Sequence, residues 1–367
     1  MRAPRRFRHL LAVSAFLLSC AAQAATTSPA GTSVFERRQL NPDTTLRSSS
    51  LWLLSATGTR ALTPTVAGTY DSGASWSPHG TLIAFQRGTR GASPQVIRYD
   101  VFVMDRQGAQ VRQLSHGLGS FETPVWGPGT QIAFVAKSSQ HDCLSLVDAA
   151  GSRRRDLFCA PSPARLARPQ WSQDGRTLFV AGGYYSGQLS PVWHGLAWRV
   201  DAATGAATQL ANVEMDEERD LSIAPDGKHG VFADVVPNDM TMIDFATGAM
   251  TPVGTGYAPL WSRDGKRIAY TGEVYDFDPG LLYYNPLYVM DADGHNVRRV
   301  TRARIDNLAY TAAAWSDDGT HVLANVRSYA DVSLTVPRYA LRWIDVDTRA
   351  LVALPAGYAD AGAWTSH

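Results

Sequence analysis

Trp261-Ser262-Arg263-Asp264-Gly265-Lys266-Arg267-Ile268-Ala269-Tyr270 holds a tryptophan, a tight-turn signal and a short apolar run in one stretch. An aspartate in such a turn bonds nearby backbone N–H groups, and glycine accepts the positive φ that starts a return strand. The run Ile268-Ala269-Tyr270 is short and apolar, as a strand buried on both faces would be. The same order of residues recurs along the chain. It is found at Trp76-Ser77-Pro78-His79-Gly80, Trp126-Gly127-Pro128-Gly129 and Trp171-Ser172-Gln173-Asp174-Gly175. It returns at Ile223-Ala224-Pro225-Asp226-Gly227 and Trp315-Ser316-Asp317-Asp318-Gly319, and in shortened form at Trp364-Thr365-Ser366. The spacings are 50, 45, 52, 38, 54 and 49 residues, so the fold is expected to be a repeat architecture.

A second hairpin follows the first in each unit. Val101-Phe102-Val103-Met104-Asp105 leads through Gly108 to Val111-Arg112-Gln113-Leu114, and Leu287-Tyr288-Val289-Met290-Asp291 leads through Gly294 to Val297-Arg298-Arg299-Val300. Each unit is therefore expected to be four antiparallel strands. One such sheet has two apolar faces and cannot bury both alone, but radial stacking buries them, so the predicted fold class is an all-β propeller. The chain ends on a first strand, Ala361 to Thr365, and begins with strand material that lacks the turn motif, Ser33 to Leu40, Leu51 to Leu54 and Arg60 to Thr63. Pairing the two ends would remove the free edges and give seven blades. Six blades follow instead if Ser33 to Pro64 is an appendage.

These units resemble the TolB-type (WD40-like) propeller repeat, whose pattern is Trp-Ser-Pro-Asp-Gly, an Ile-Ala-Phe strand, a Tyr-Val-Met-Asp strand and Arg-x-Leu-Thr. The best copies run from Trp76 to Leu114 and from Trp261 to Thr301, and the resemblance spans about residues 50 to 367. The family includes the periplasmic Tol-Pal component, sensor-like binding modules and the propeller halves of prolyl oligopeptidase-type peptidases. TolB itself carries an α/β domain before its propeller. Here only about 25 residues of the expected mature chain precede the first blade strand.

Those ends also bear on location. Arg2, Arg5, Arg6 and Arg8 precede the apolar run Leu10 to Leu18, and Ala22-Gln23-Ala24 is a small-residue cleavage signal. Residues 1–24 are expected to be an export signal, 25–32 a flexible segment and 33–367 a single propeller domain, periplasmic or secreted after cleavage near Ala24. Lipidation at Cys20, after Leu17-Leu18-Ser19, is the competing expectation. Removing the four signal arginines moves the formal charge from +1 to about −3, and no cationic run remains to neutralise phosphates, so no nucleic-acid partner is expected. No later run approaches the ~20 apolar residues of a membrane-spanning helix. Cys143 and Cys159 flank the turn Asp148-Ala149-Ala150-Gly151 and are expected to face each other as a disulfide in an oxidising compartment.

No Gly-x-Ser-x-Gly elbow, His-Glu-x-x-His or cysteine cluster is present, and the histidines from His79 to His321 are scattered, most in expected turns or loops. No catalytic residue, metal ligand or cofactor is therefore assigned, with a metal site assembled from separate blades left open. The informative segments are the connections between second and third strands: Gly88 to Asp100, Gly182 to Gly195, Gly272 to Pro286 and Ser328 to Tyr339. They are expected to be long loops on one face of the ring, where binding residues tend to lie. Their aromatic and acidic content makes Tyr184, Tyr185, Trp193, His194, Tyr275, Asp276, Phe277, Asp278, Tyr283, Tyr284, Tyr329 and Tyr339 the candidate ligand-binding residues. The acids from Glu214 to Asp220 would add negative charge to the same face. The expected role is a non-catalytic scaffold recognising a protein or peptide in the cell envelope. The alternative is a lyase or hydrolase acting on a polysaccharide or glycan at the channel mouth, with acids such as Asp276 and Asp278.

Overall fold

Every helix or strand in the described part of the chain is a β-strand. The computed structural model describes residues 32–41, 46–55, 58–90, 97–116, 123–138, 140–186, 192–210, 221–233, 239–272, 285–301, 308–329, 337–352 and 361–366. The expected export signal and most of the segment after it lie outside them.

β1 (Ser33–Leu40), β2 (Leu46–Ser55) and β3 (Gly58–Ala61) open the chain. Blade 1 is β4 (Thr69–Trp76), β5 (Leu82–Arg90), β6 (Ile97–Asp105) and β7 (Arg112–Gln113). Blade 2 is β8 (Val125–Trp126), β9 (Gln131–Lys137), β10 (Asp142–Asp148) and β11 (Arg155–Cys159). Blade 3 is β12 (Arg165–Trp171), β13 (Thr177–Ser186), β14 (Val192–Asp201) and β15 (Ala207–Gln209). Blade 4 is β16 (Ser222–Ile223), β17 (His229–Ala233), β18 (Asp239–Asp244) and β19 (Met250–Thr255). Blade 5 is β20 (Tyr257–Trp261), β21 (Arg267–Thr271), β22 (Leu287–Asp291) and β23 (Arg298–Arg299). Blade 6 is β24 (Leu308–Trp315), β25 (His321–Tyr329), β26 (Pro337–Asp345) and β27 (Leu351–Val352). The last strand, β28 (Ala361–Ser366), pairs antiparallel with β1, setting Val34 opposite Thr365 and Phe35 opposite Trp364. The sheet β28-β1-β2-β3, blade 7, joins blade 1 through a single parallel bridge, Ser49 to Tyr70.

The core lies between blades. Ala84, Val103, Ile132 and Phe134 join blades 1 and 2, and Leu144, Leu146, Leu178 and Trp198 join blades 2 and 3. Equivalent buried clusters occupy the other junctions, including Leu323 and Trp343 of blade 6 against Phe35 and Leu54 of blade 7. Each blade buries both faces only because it has two neighbours, which is why a repeat was needed. The repeated tryptophans belong to this packing. Trp126 Nε1 donates to Ser75 O at 3.1 Å, Trp171 Nε1 to Val125 O at 3.2 Å and Trp315 Nε1 to Leu260 O at 2.9 Å, each reaching the inner strand of the blade before.

The turns are built as the sequence suggests. In blade 5, Gly265 has φ +69° and its N–H donates to Ser262 O, while Asp264 Oδ1 accepts from the Ser262 hydroxyl and from Lys266 N. In blade 6, the Ser316 and Thr320 hydroxyls and Thr320 N–H hold the Asp318 carboxyl down to about 2. Cys143 and Cys159 are register partners on β10 and β11 and are joined as a disulfide with a sequence separation of 16. Replacing both with alanine is expected to cost up to about 3 kcal/mol, because a loop of this size is set free in the unfolded chain. Thermal melts of the two forms check this, and equal melting temperatures would refute it.

Three of the four expected long loops, in blades 1, 3 and 6, are shorter because the strands run on, while in blade 5 the strands end at Thr271 and resume at Leu287 as expected. β13 continues to Ser186 and β14 starts at Val192, so Tyr184, Tyr185, Trp193 and His194 lie on strands. β25 reaches Tyr329 and β26 starts at Pro337. Aromatic and β-branched residues favour a strand wherever a partner strand is present, and the hairpin supplies one. Three histidines, His194, His229 and His321, also lie on strands. In blade 5, burial and the stacked Tyr288 push the Tyr270 hydroxyl up to about 12. The unfolded chain ionises this group near pH 10, so stability is fully present below that pH and falls as pH rises towards 12, by up to about 2 kcal/mol. Urea unfolding at pH 9 and at pH 12 should show that loss, and Tyr270→Phe should remove it.

Candidate functional site

Strand direction gives the ring two unlike faces. Each inner strand runs towards its Trp-Ser-Pro-Asp-Gly turn, and the third strand ends in its Asp-x-x-Gly turn on the same side. The hairpins between second and third strands and the connections between blades share the other side.

On that second face, the outer hairpin of blade 3 runs on past its own inner strand. β12 pairs with β13 only as far as Arg165 opposite Gly183, whereas β13 and β14 stay paired to Ser186 opposite Val192. Residues 184–186 and 192–194 thus form a two-stranded ribbon beyond β12. Gly182 is placed where it leaves: a Cβ there would collide with the Arg165 carbonyl oxygen. Tyr184 and His194 are register partners and stack with centroids 4.8 Å apart. Ser186 Oγ and His194 Nε2 share a hydrogen bond of 2.6 Å. Tyr185 is 61% exposed and lies opposite Trp193 in register. The structure so gathers four candidates on one ribbon. Tyr329 and Tyr339 are placed on a separate ribbon in blade 6, opposite Pro337 and Arg327. Tyr275, Asp276, Phe277, Asp278, Tyr283 and Tyr284 lie outside the described residues, as do the acids from Glu214 to Asp220.

Sequence reading missed the ionic groups below this face. Asp71, fully buried, accepts from Arg87 Nε at 2.7 Å and Nη2 at 2.9 Å. Asp142, also fully buried, meets Arg165 Nη2 at 2.8 Å and accepts from Leu166 N at 2.9 Å. Glu36, 2% exposed, accepts from Arg38 Nε at 2.7 Å. In each pair the acid is the buried partner and the arginine the more exposed one, so the face presents cations over matched anions. Ser186 was missed as well, although alternation along β13 puts it on the same side as Tyr184.

The ribbon offers flat aromatic surface with hydrogen-bonding tips. A serine beside a histidine is half of a nucleophile–base arrangement, but among the described residues no carboxylate pairs with the His194 ring to orient it. His141 lies within 4.8 Å of both cysteine sulfurs, yet a disulfide offers no thiolate to a metal. Among the described residues no helix is long and apolar enough to cross a membrane.

No protein-family model matches the chain, and no curated protein matches it. Solved structures do. TolB from Acinetobacter baumannii aligns at 16% identity over 91% of this chain and 82% of that one, with a TM-score of 0.50. An oligogalacturonate lyase in complex with manganese aligns at 15% identity over 88% and 85%, with a TM-score of 0.58. The propeller domain of the Trilobed protease from Pyrococcus furiosus aligns at 10% identity over 90% and 97%, also at 0.58. The fold is a TolB-like β-propeller. At these identities the likeness is one of fold alone. The Pyrococcus propeller is described as having an open velcro topology, whereas in the present propeller β28 pairs with β1.

Proposed function

We propose that this propeller is an exported, non-catalytic scaffold that recognises a protein or peptide partner in the cell envelope, through the face bearing the β13–β14 ribbon. The observation that carries this reading is the ribbon itself, which holds Tyr184, Tyr185 and His194 beyond the inner strand on a rigid ring. Rigid aromatics with polar tips give contact area at low entropic cost, which is what a recognition surface needs. The basic, apolar and small-residue order of the first 24 residues supports export, and with it an envelope partner.

The test is capture of partners from the envelope fraction of the source cells. The baits are residues 25–367 and the same chain with Tyr184, Tyr185, Trp193 and His194 changed to alanine, with folding compared by circular dichroism. A protein held by the first bait and lost from the second is the expected result. Equal capture by both baits would move recognition off this ribbon.

The hydrogen bond between Ser186 and His194 favours one second reading, an enzyme acting on a polysaccharide or glycan. Ser186→Ala would then abolish turnover of a glycan panel, while a purely recognising ribbon would show no turnover in either form.

A further inference from the structure

The β9–β10 hairpin of blade 2 lies on the same face as the ribbon and carries a chemistry that recognition by the ribbon does not use. His141 and Cys143 are two residues apart where the chain enters β10, so strand alternation puts their side chains on one side. Asp142, between them, faces the other way, where it meets Arg165 and Leu166 N–H. Cys159, the last residue of β11, sits opposite Cys143 in register. A nitrogen of the His141 ring and the two sulfurs all lie within 4.8 Å of one another. Among the described residues no other three histidine, cysteine or acidic side chains come together in this way.

The hairpin fixes the backbone of this histidine and leaves its ring unengaged. Ser138 donates to the His141 carbonyl from its N–H at 3.1 Å and from its hydroxyl at 2.5 Å, and Ser138 Oγ accepts the His141 N–H at 3.0 Å. Arg165 of blade 3 ties down the same turn by donating to Ser138 O at 2.9 Å. Among the described residues no hydrogen bond or ion pair engages the His141 ring. His141 and Cys159 are exposed, whereas Cys143 is buried. A small dithiol can therefore approach the Cys143–Cys159 bond from the Cys159 side.

We propose that reduction of this disulfide opens a zinc site made of His141, Cys143 and Cys159. Two thiolates and an imidazole are zinc donors, and a tetrahedral ion sets such atoms about 3.5–3.8 Å apart, within reach of side-chain rotation from their present places. The reductant is an external dithiol. It is oxidised to its own disulfide, and its two electrons and two protons convert the Cys143–Cys159 bond into two thiols. Zinc then replaces the two thiol protons, which leave to solvent, and the neutral imidazole of His141 gives a lone pair. Water fills the fourth position. Zinc has no redox chemistry of its own, so it holds the thiolates without reoxidising them. The ion takes over the tie between β10 and β11 that the disulfide makes. This site does not rest on the role of the β13–β14 ribbon.

The probe is zinc alone, added to residues 25–367, whose only cysteines are these two. The chain is reduced with a dithiol, freed of it under nitrogen, and titrated in competition with a chromogenic zinc chelator, with cobalt as an optical stand-in. The reduced chain should bind one equivalent, more tightly as pH rises, with a thiolate-to-cobalt charge-transfer band and a raised melting temperature. The oxidised chain should show none of these. In the reduced chain His141→Ala should weaken zinc binding about 100-fold, since even the groups behind a ligand are worth roughly 10- to 100-fold. His79→Ala, which removes an exposed histidine on the tight-turn face, should leave binding unchanged. If reduction loosens the fold, zinc should restore the native circular dichroism. Equal zinc binding by the two redox forms, no binding by the reduced chain, no loss with His141→Ala, or a loosened fold that zinc does not restore would each overturn the proposal.

Discussion

A chain ended at Asp360 is expected to lose cooperative folding. The truncation removes β28, whose five paired positions with β1 run from Ser33–Ser366 to Arg37–Ala361. β28 is also the inner strand of blade 7 and lies against both β24 and β4. Without it, Val34 and Phe35, now 0% and 3% exposed, lose the strand beside them. At about 1 kcal/mol for each lost backbone pairing the cost is about 5 kcal/mol, before any packing is counted. That is comparable to the whole stability of a typical domain, about 5–15 kcal/mol. The exposed β1 edge would also template association between chains. Urea unfolding followed by tryptophan fluorescence, with size-exclusion chromatography, should show a lower midpoint, a broader transition and oligomers. A synthetic peptide of residues 355–367 added in excess should restore the midpoint in part. A truncated chain that unfolds like the full one would show that the ring holds without this strand.

The closing strand was legible because a turn motif carries its register with it. Trp364-Thr365-Ser366 reads as a copy of the first-strand motif, and its strand pairs with β1. The disulfide was legible for a similar reason, since Cys143 and Cys159 are nearly symmetric about the turn at Gly151. The ribbon in blade 3 was not. Gly182-Gly183-Tyr184-Tyr185 has both loop and strand character, and only pairing with residues 192–195 decides between them. The ionic pairs were hidden for another reason. Asp71 and Arg87 are 16 residues apart and meet only because the register of β4 and β5 places them opposite each other.

The Asp71–Arg87 pair is the strongest single test of how the long-loop face is held. Arg87→Met is expected to destabilise the protein by about 3–5 kcal/mol, because it leaves the fully buried Asp71 carboxyl without its cationic partner. The guanidinium does more than neutralise. It lies 5.4 Å from the Phe85 ring centre and 5.1 Å from that of Phe102, and so covers the stacked pair. Its hydrogen bonds to Asp71 raise the Arg87 pKa further, against the opposing effect of burial, so the arginine stays charged. Methionine keeps most of the stem that packs on the two rings but removes the charge. The paired variant, Asp71→Leu with Arg87→Met, should therefore recover most of the lost stability, since a buried ion pair replaced by apolar groups of similar volume is often neutral. Urea midpoints of the two single variants and the double variant give the coupling energy directly. Partner capture by the double variant then separates two roles. If it folds and still captures the envelope partner, the pair serves the fold of blade 1 alone. If it folds and fails to capture, the Arg87 cation is itself part of the recognition surface, which then extends from the ribbon of blade 3 to blade 1.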